Sequence, residues 1–274
     1  MKKIGLSNCG FKLTEENLRS LRESGVDAIE ISMSLEALYE MDYEAVGKMA
    51  KRNGIALWSY HLPFLPFSIL DISSPDEALR AGTVKIYEEM IKKAAKIGID
   101  KFVVHPSMEP IPAEERETRI VSAMRSLSEL AEIADRYGAV IAVEDLPRSC
   151  LGNTAEEMER LLSANEKLRV CFDTNHLTQD TNENFIARLG KKIVTVHISD
   201  YDFIDEKHWL CGEGKVDFIS LLSSLEKAGY TGVWLYEVGL KTPPTIQRPR
   251  DLCFADFVKN ANEIFAGKTP SAIA

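Results

Sequence analysis

The chain has 274 residues, 45% hydrophobic and 27% charged, which excludes a disordered or fibrous polymer and suits one globular domain over 1–274. Acids outnumber bases 42 to 33, and the resulting net charge of −9 argues against nucleic acid as a partner. There is no apolar run of the roughly 18 residues a membrane span needs, no apolar signal stretch after Met1-Lys2-Lys3-Ile4-Gly5, and no CxxC among Cys9, Cys150, Cys171, Cys211 and Cys253, so a cytoplasmic protein with reduced thiols is expected.

Short β-branched runs alternate with longer helix-like stretches. The first strand is predicted over 2–7, and the turn after it, Leu6-Ser7-Asn8-Cys9-Gly10-Phe11, lacks the GxGxxG of an open dinucleotide-binding sheet. The second strand, 26–31, ends near Glu30, and the third, 54–60, runs into Tyr60-His61-Leu62-Pro63-Phe64. Ser74-Pro75-Asp76-Glu77 then reads as a capping box with Ser74 at the N-cap, followed by Val84, Tyr87, Ile91 and Ala94 at helical spacing. A strand over 101–105 gives His105-Pro106-Ser107. Ile120, Met124, Leu127, Ala131 and Ala134 form one helical stripe between 114 and 137.

The strand over 139–144 ends in Glu144-Asp145, Thr154 with Glu157 repeats the capping pattern, and the strand over 168–173 gives Asp173-Thr174-Asn175-His176. The seventh strand, 192–198, carries His197. Cys211-Gly212-Glu213-Gly214-Lys215 follows as a flexible turn before a helix at 217–228, with a loop over the pocket, Lys215 or His208 touching substrate, as the alternative. The eighth, 232–238, ends in Glu237, and a final helix bearing Phe254, Phe257, Ala261 and Phe265 is expected to dock on the barrel and leave a face for a homo-oligomer. Gly25, Gly54, Gly98, Gly138, Gly190 and Gly229 stand where helix C-caps precede strands. Eight such rounds predict an α/β fold, the (β/α)8 TIM barrel.

In that fold the chemistry gathers at the carboxyl ends of the strands. His61, His105, His176 and His197 fall there with Glu144, Asp173 and Glu237, and His208 lies in the loop after strand seven. Each alone reads as a hydrogen-bonded structural residue. Together, several buried acids beside imidazoles call for a divalent cation, and the mixed set suits Zn, Mn, Co or Mg better than Ca. Trp58, Phe64, Phe67, Phe11 and Trp209 are candidates to stack on a sugar, and Arg148, Lys215, Lys241 and Arg248 to meet a phosphate, against a default of packing and solvated surface.

These strand-end motifs resemble the xylose isomerase-like barrels, a group that includes sugar isomerases, sugar 3-epimerases and zinc-dependent apurinic-site endonucleases. The resemblance implies one metal held by Glu144, Asp173, His197 and Glu237, with His176 binding substrate. It implies a small carbohydrate substrate and proton transfer by Glu144 and Glu237 through a metal-stabilised enediolate, with His61, His105 and His208 orienting the sugar. A keto-sugar lyase or dehydratase is an alternative on the same residues. The endonuclease branch uses further zinc ligands, which His61, His105 and His176 match; its Asp-x-His pair appears here as Glu206-Lys207-His208. The arginine that epimerases commonly place six residues past the strand-seven histidine is Phe203 here.

Overall fold

A computed structural model describes residues 2–273. Eight strands, β1 (Ile4–Ser7), β2 (Ala28–Ile31), β3 (Ala56–His61), β4 (Lys101–Val104), β5 (Val140–Glu144), β6 (Arg169–Asp173), β7 (Ile193–His197) and β8 (Trp234–Tyr236), form one parallel sheet in the order β7-β6-β5-β4-β3-β2-β1-β8. The ring closes where Ile198, just past β7, bridges Tyr236 and donates its N–H to the Leu235 carbonyl at 2.8 Å. Each strand lies within two residues of its predicted span. Around the outside run α1 (Glu15–Ser24), α2 (Leu35–Glu40), α3 (Tyr43–Asn53), α4 (Glu77–Ala95), α5 (Arg116–Asp135), α6 (Ala155–Leu162), α7 (Asn182–Leu189), α8 (Phe218–Lys227) and α9 (Phe254–Phe265).

Strand alternation divides the apolar residues between two compartments. Ile141 and Val143 of β5 face the helices and join the main core, whereas Ala142 turns inward to meet Val103 and Cys171. The interior is narrow: a Cβ on Gly5 would sit 2.6 Å from Val233 Cγ1. Trp58 fills its floor against Ala28, Val233 and Leu235, and its indole N–H donates to Thr195 Oγ1 at 3.0 Å. Trp58 is therefore a plug beneath the site and not a sugar-stacking surface.

Two β-bulges aim side chains inward. Along β2 and β3, Ile29 pairs with Leu57 but Glu30 pairs with Ser59, so Trp58 is the extra residue. Along β6 and β7, Val170 pairs with Ile193 but Cys171 pairs with Thr195, leaving Val194 extra. The second shift sets His197 directly beside Asp173.

Helix starts follow the capping signals with two corrections. Thr154 caps α6 as expected, accepting from the Glu157 N–H at 3.3 Å, but the Glu157 carboxylate turns instead to the Gly152 N–H. The cap of α4 is Asp76, not Ser74: Asp76 accepts from the Ala78 N–H, and Ser74 Oγ accepts from the Asp76 N–H in the turn before it. Pro75 thus ends the preceding loop, whose Asp71 is pinned by Arg119 and Ser73. Gly190 is not a left-handed cap; a Cβ there would lie 2.5 Å from Ala228 Cβ, so glycine serves the close approach of α7 to the end of α8. The last helix docks as expected, with Phe257 buried against Tyr236 at 5.3 Å between ring centres.

Candidate metal centre

Glu144, Asp173 and His197 end β5, β6 and β7, and Glu237 follows β8. Their ligand atoms all lie within 4.8 Å of one another. His197 Nδ1 is the hub, 2.7 Å from Glu144 Oε1, 3.2 Å from Glu237 Oε2 and 3.8 Å from Asp173 Oδ2. Glu144, Asp173 and His197 are sealed from solvent, and the Glu237 side chain, 13% exposed, marks the open side.

Three carboxylates around one imidazole, two of them sealed from solvent, carry a large desolvation cost unless positive charge joins them. Asp173 shows where that charge belongs. Its Oδ1 accepts the Asn175 N–H at 2.6 Å, while its buried Oδ2 has no hydrogen-bond partner and faces His197. Two carboxylates, an aspartate and an imidazole nitrogen with one orphaned oxygen fit a divalent transition ion or Mg²⁺.

Two further groups flank this one. His61 Nε2 and His105 Nε2 lie 3.1 and 3.2 Å from Glu144 Oε2. On the other side, His176, Glu206 and His208 converge, with His208 Nε2 2.9 Å from Glu206 Oε1. His61, His105, His176 and His208, all expected near the substrate, thus line the same rim. His61 Nδ1 donates to the Leu62 carbonyl, His176 Nδ1 to that of Asp145, and His208 Nδ1 to that of Glu237, which leaves Nε2 of His61 facing Glu144 and Nε2 of His176 and His208 facing Glu206. This is the orientation a ligating or substrate-binding histidine needs.

The charges are shared accordingly. Burial, which would raise Glu144 and Glu237, is outweighed by His197 and its neighbours, so both are held well below the ordinary carboxylate range. Asp173 goes the other way, raised by burial to about 6. Burial pulls His61 and His208 down, but hydrogen bonds to Glu144 and Glu206 prevail and lift each to about 9. Burial lowers His105, whose ring stacks on Phe64 at 4.2 Å. Phe64 also borders a cleft of about 490 Å³ beside His61, lined by Cys9, Met33 and Pro63.

The loop after β7 is held rigidly. The Asp200 carboxylate accepts the N–H groups of Tyr201, Gly212, Gly214 and Val216 at 2.8–3.1 Å. The GxG turn is thus an anion nest closed by Asp200, not a flexible linker, and it fixes the segment bearing Glu206 and His208. Among the other candidates, Phe11 packs on Phe254, and the Trp209 indole N–H donates to Thr245 Oγ1. Arg148 is held by Glu109, Asp205 and Glu206, Lys241 by Asp251, and Arg248 is buried on Glu213. Lys215 is exposed, and so is Phe203, at φ 64°.

Glu30 and Asp145 belong to the centre although the strand-end reading gave them no role. Glu30 meets His197 from behind, and Asp145 Oδ1 accepts the Asp173 N–H at 2.8 Å. The signal for Glu30 was a lone acid between Ile29 and Ile31 in a strand buried on both faces.

Known proteins agree with this architecture. An uncharacterized protein of Methanocaldococcus jannaschii (MJ1311) is 33% identical over 177 residues, which is 61% of this chain and 60% of the relative, so the alignment spans under two thirds of that protein. The L-ribulose-5-phosphate 3-epimerase UlaE of Shigella flexneri is 26% identical over 237 residues, covering 83% of this chain and 82% of the relative. The crystal structure of a D-tagatose 3-epimerase-like protein superposes with a TM-score of 0.78 at 26% identity over 97% of both chains. Residues 18–254 match the family described as xylose isomerase-like TIM barrel, and the chain belongs to that family.

Proposed function

We propose that this protein is a metal-dependent sugar epimerase or isomerase that moves a proton on a carbon beside a ketose carbonyl. The observation that carries the reading is the four-residue cluster at the barrel mouth, with an orphaned Asp173 oxygen turned into it. Relatives named as ketose 3-epimerases support the substrate class.

Glu144, Asp173, His197 and Glu237 would hold the ion. When bound, a divalent cation supplies Lewis acidity that lowers the cost of negative charge on the carbonyl oxygen. Glu237, on the solvent side, and Glu144, beneath it, are the two carboxylates placed to take and return the proton. Both are held ionised by the surrounding histidines, as bases must be. His61, His105, His176 and His208 orient the sugar hydroxyls, and the cleft beside Phe64 accommodates the rest of the substrate. Asp173 and His197 hold the ion and move no proton. No helix among the described residues is long and apolar enough to cross a membrane. The five free cysteines support a cytoplasmic setting.

A second reading is metal-assisted phosphodiester hydrolysis, favoured by one observation: His61–His105–Glu144 and His176–Glu206–His208 are each a three-residue group of metal-ligating geometry. The net charge of −9 and the neutralised arginines weigh against a nucleic-acid substrate. The deciding experiment measures metal content and then incubates metal-loaded and chelator-stripped protein with a panel of free and phosphorylated ketoses and with abasic duplex DNA. Metal-dependent appearance of an epimer or aldose supports the first reading. Three tightly held ions with DNA cleavage and inert sugars supports the second.

A further inference from the structure

Glu30 lies wholly buried at the end of β2, yet it offers no oxygen to the four-residue cluster. It sits on the far side of His197, whose Nε2 is 3.1 Å from both its oxygens. Ser59 Oγ–H donates to Glu30 Oε2 at 2.8 Å, and the β3 bulge is what brings Ser59 opposite Glu30. Among the described residues, this is a three-member buried chain, Ser59 to Glu30 to His197, running across β3, β2 and β7.

The chain answers a question of proton placement. His197 Nδ1 is 2.7 Å from Glu144 Oε1. A neutral ring with its hydrogen on Nδ1 would donate to Glu144 and have no lone pair for an ion. A ring with its hydrogen on Nε2 has that lone pair aimed into the cluster. An acceptor behind Nε2 selects the second tautomer. His61, His176 and His208 use neutral backbone carbonyls for the same purpose. His197 alone has a full carboxylate, which fixes the ring and also makes Nδ1 a stronger donor to a cation.

From this arrangement we infer that Glu30 is a positioning residue for the metal centre: it holds His197 by Nε2–H so that Nδ1 serves the ion, and Ser59 holds Glu30 in turn. The inference rests on the metal reading above but concerns a residue outside the ligand set.

The test uses the whole chain with Zn²⁺ as the probe. Dissociation constants are measured by chelator competition for the parent, Glu30→Gln, Glu30→Leu and Ser59→Ala, beside the melting temperature of each metal-free protein. Glu30→Gln is expected to weaken Zn²⁺ binding about 10-fold and Glu30→Leu about 100-fold. Ser59→Ala, which leaves every charge in place and so guards against a variant that fails to fold, is expected to weaken it a few-fold. Nitrogen-15 NMR of the zinc-loaded parent should show His197 protonated at Nε2. A purely structural role would lower the metal-free melting temperature and leave the affinity of the folded fraction alone. Folded variants that bind Zn²⁺ as tightly as the parent overturn this inference by itself. A parent that binds no divalent ion overturns the metal reading and this inference with it.

Discussion

Gly214→Ala isolates the contribution of the loop that carries Glu206 and His208. A Cβ at this position would lie 2.3 Å from the Tyr201 carbonyl oxygen and 2.4 Å from Asp200 Oδ1. Ordinary contact begins near 3.4 Å, so the segment must retreat by about an ångström. The retreat adds an overpacking cost of about 1–3 kcal/mol. It also pulls the Gly214 N–H from the Asp200 carboxylate and loosens its neighbour from Gly212, at about 1.5–3 kcal/mol per charged hydrogen bond. Overpacking with the loss of the one Gly214 bond amounts to about 2.5–6 kcal/mol, which corresponds to a fall in melting temperature on the order of 10 °C for a domain of this size. A displacement of that size at Glu206 and His208 costs on the order of 10²-fold in turnover. Scanning calorimetry and the ketose assay read the two effects separately. The control is Gly82→Ala in α4, where a Cβ meets nothing within 4 Å, so it should gain about 0.5–1 kcal/mol. If Gly214→Ala melts with the parent, the nest does not hold the loop and the reasoning fails.

Other outcomes follow from the same structure. His61 and His208, lifted to about 9, contribute stability that is complete below their unfolded value of about 6.5 and is lost as pH rises through 9. Asp173, raised to about 6, likewise disfavours the metal-free fold above that pH. The metal-free protein should therefore melt lower at pH 8.5 than at pH 6 on this order of pH range, and the rise in melting temperature on adding Mn²⁺ should be larger at the higher pH. A rise that shrinks with pH would contradict the protonation pattern. Arg119→Met strands the buried Asp71 that Arg119 holds at 2.8 Å and should cost about 3 kcal/mol. Urea titration measures that loss, and the metal affinity of the folded variant should stay at the parent value.

The barrel was legible because its signals are local. Each strand is a β-branched run bounded by turn residues, and each is fixed by its own neighbours in sequence. The rim was legible for a related reason: in a parallel barrel, the last residue of every strand lies at one end, so Glu144, Asp173 and His197 could be assembled without knowing a distance. What escaped the sequence depends on register. The bulge at Trp58 sends that ring to the barrel floor and brings Ser59 beside Glu30, and no spacing along the chain announces an inserted residue. The Asp200 nest joins residues up to 16 apart in a loop without repeating pattern. The shift of the α4 cap from Ser74 to Asp76 is a choice between two equally good capping residues two positions apart, which the local pattern does not rank.

Solvent deuterium incorporation measures most directly whether Glu144 and Glu237 exchange a proton on a ketose. Metal-loaded protein is incubated with a ketose substrate in D₂O while NMR follows the sugar, with the metal content of every sample determined. The parent should place deuterium at one carbon beside the carbonyl. Glu144→Gln and Glu237→Gln each keep an oxygen for the ion but lose the base, so exchange should fall by about 10²–10⁴-fold. Full turnover in both glutamine variants, with the ion still bound, would show that neither glutamate is the base.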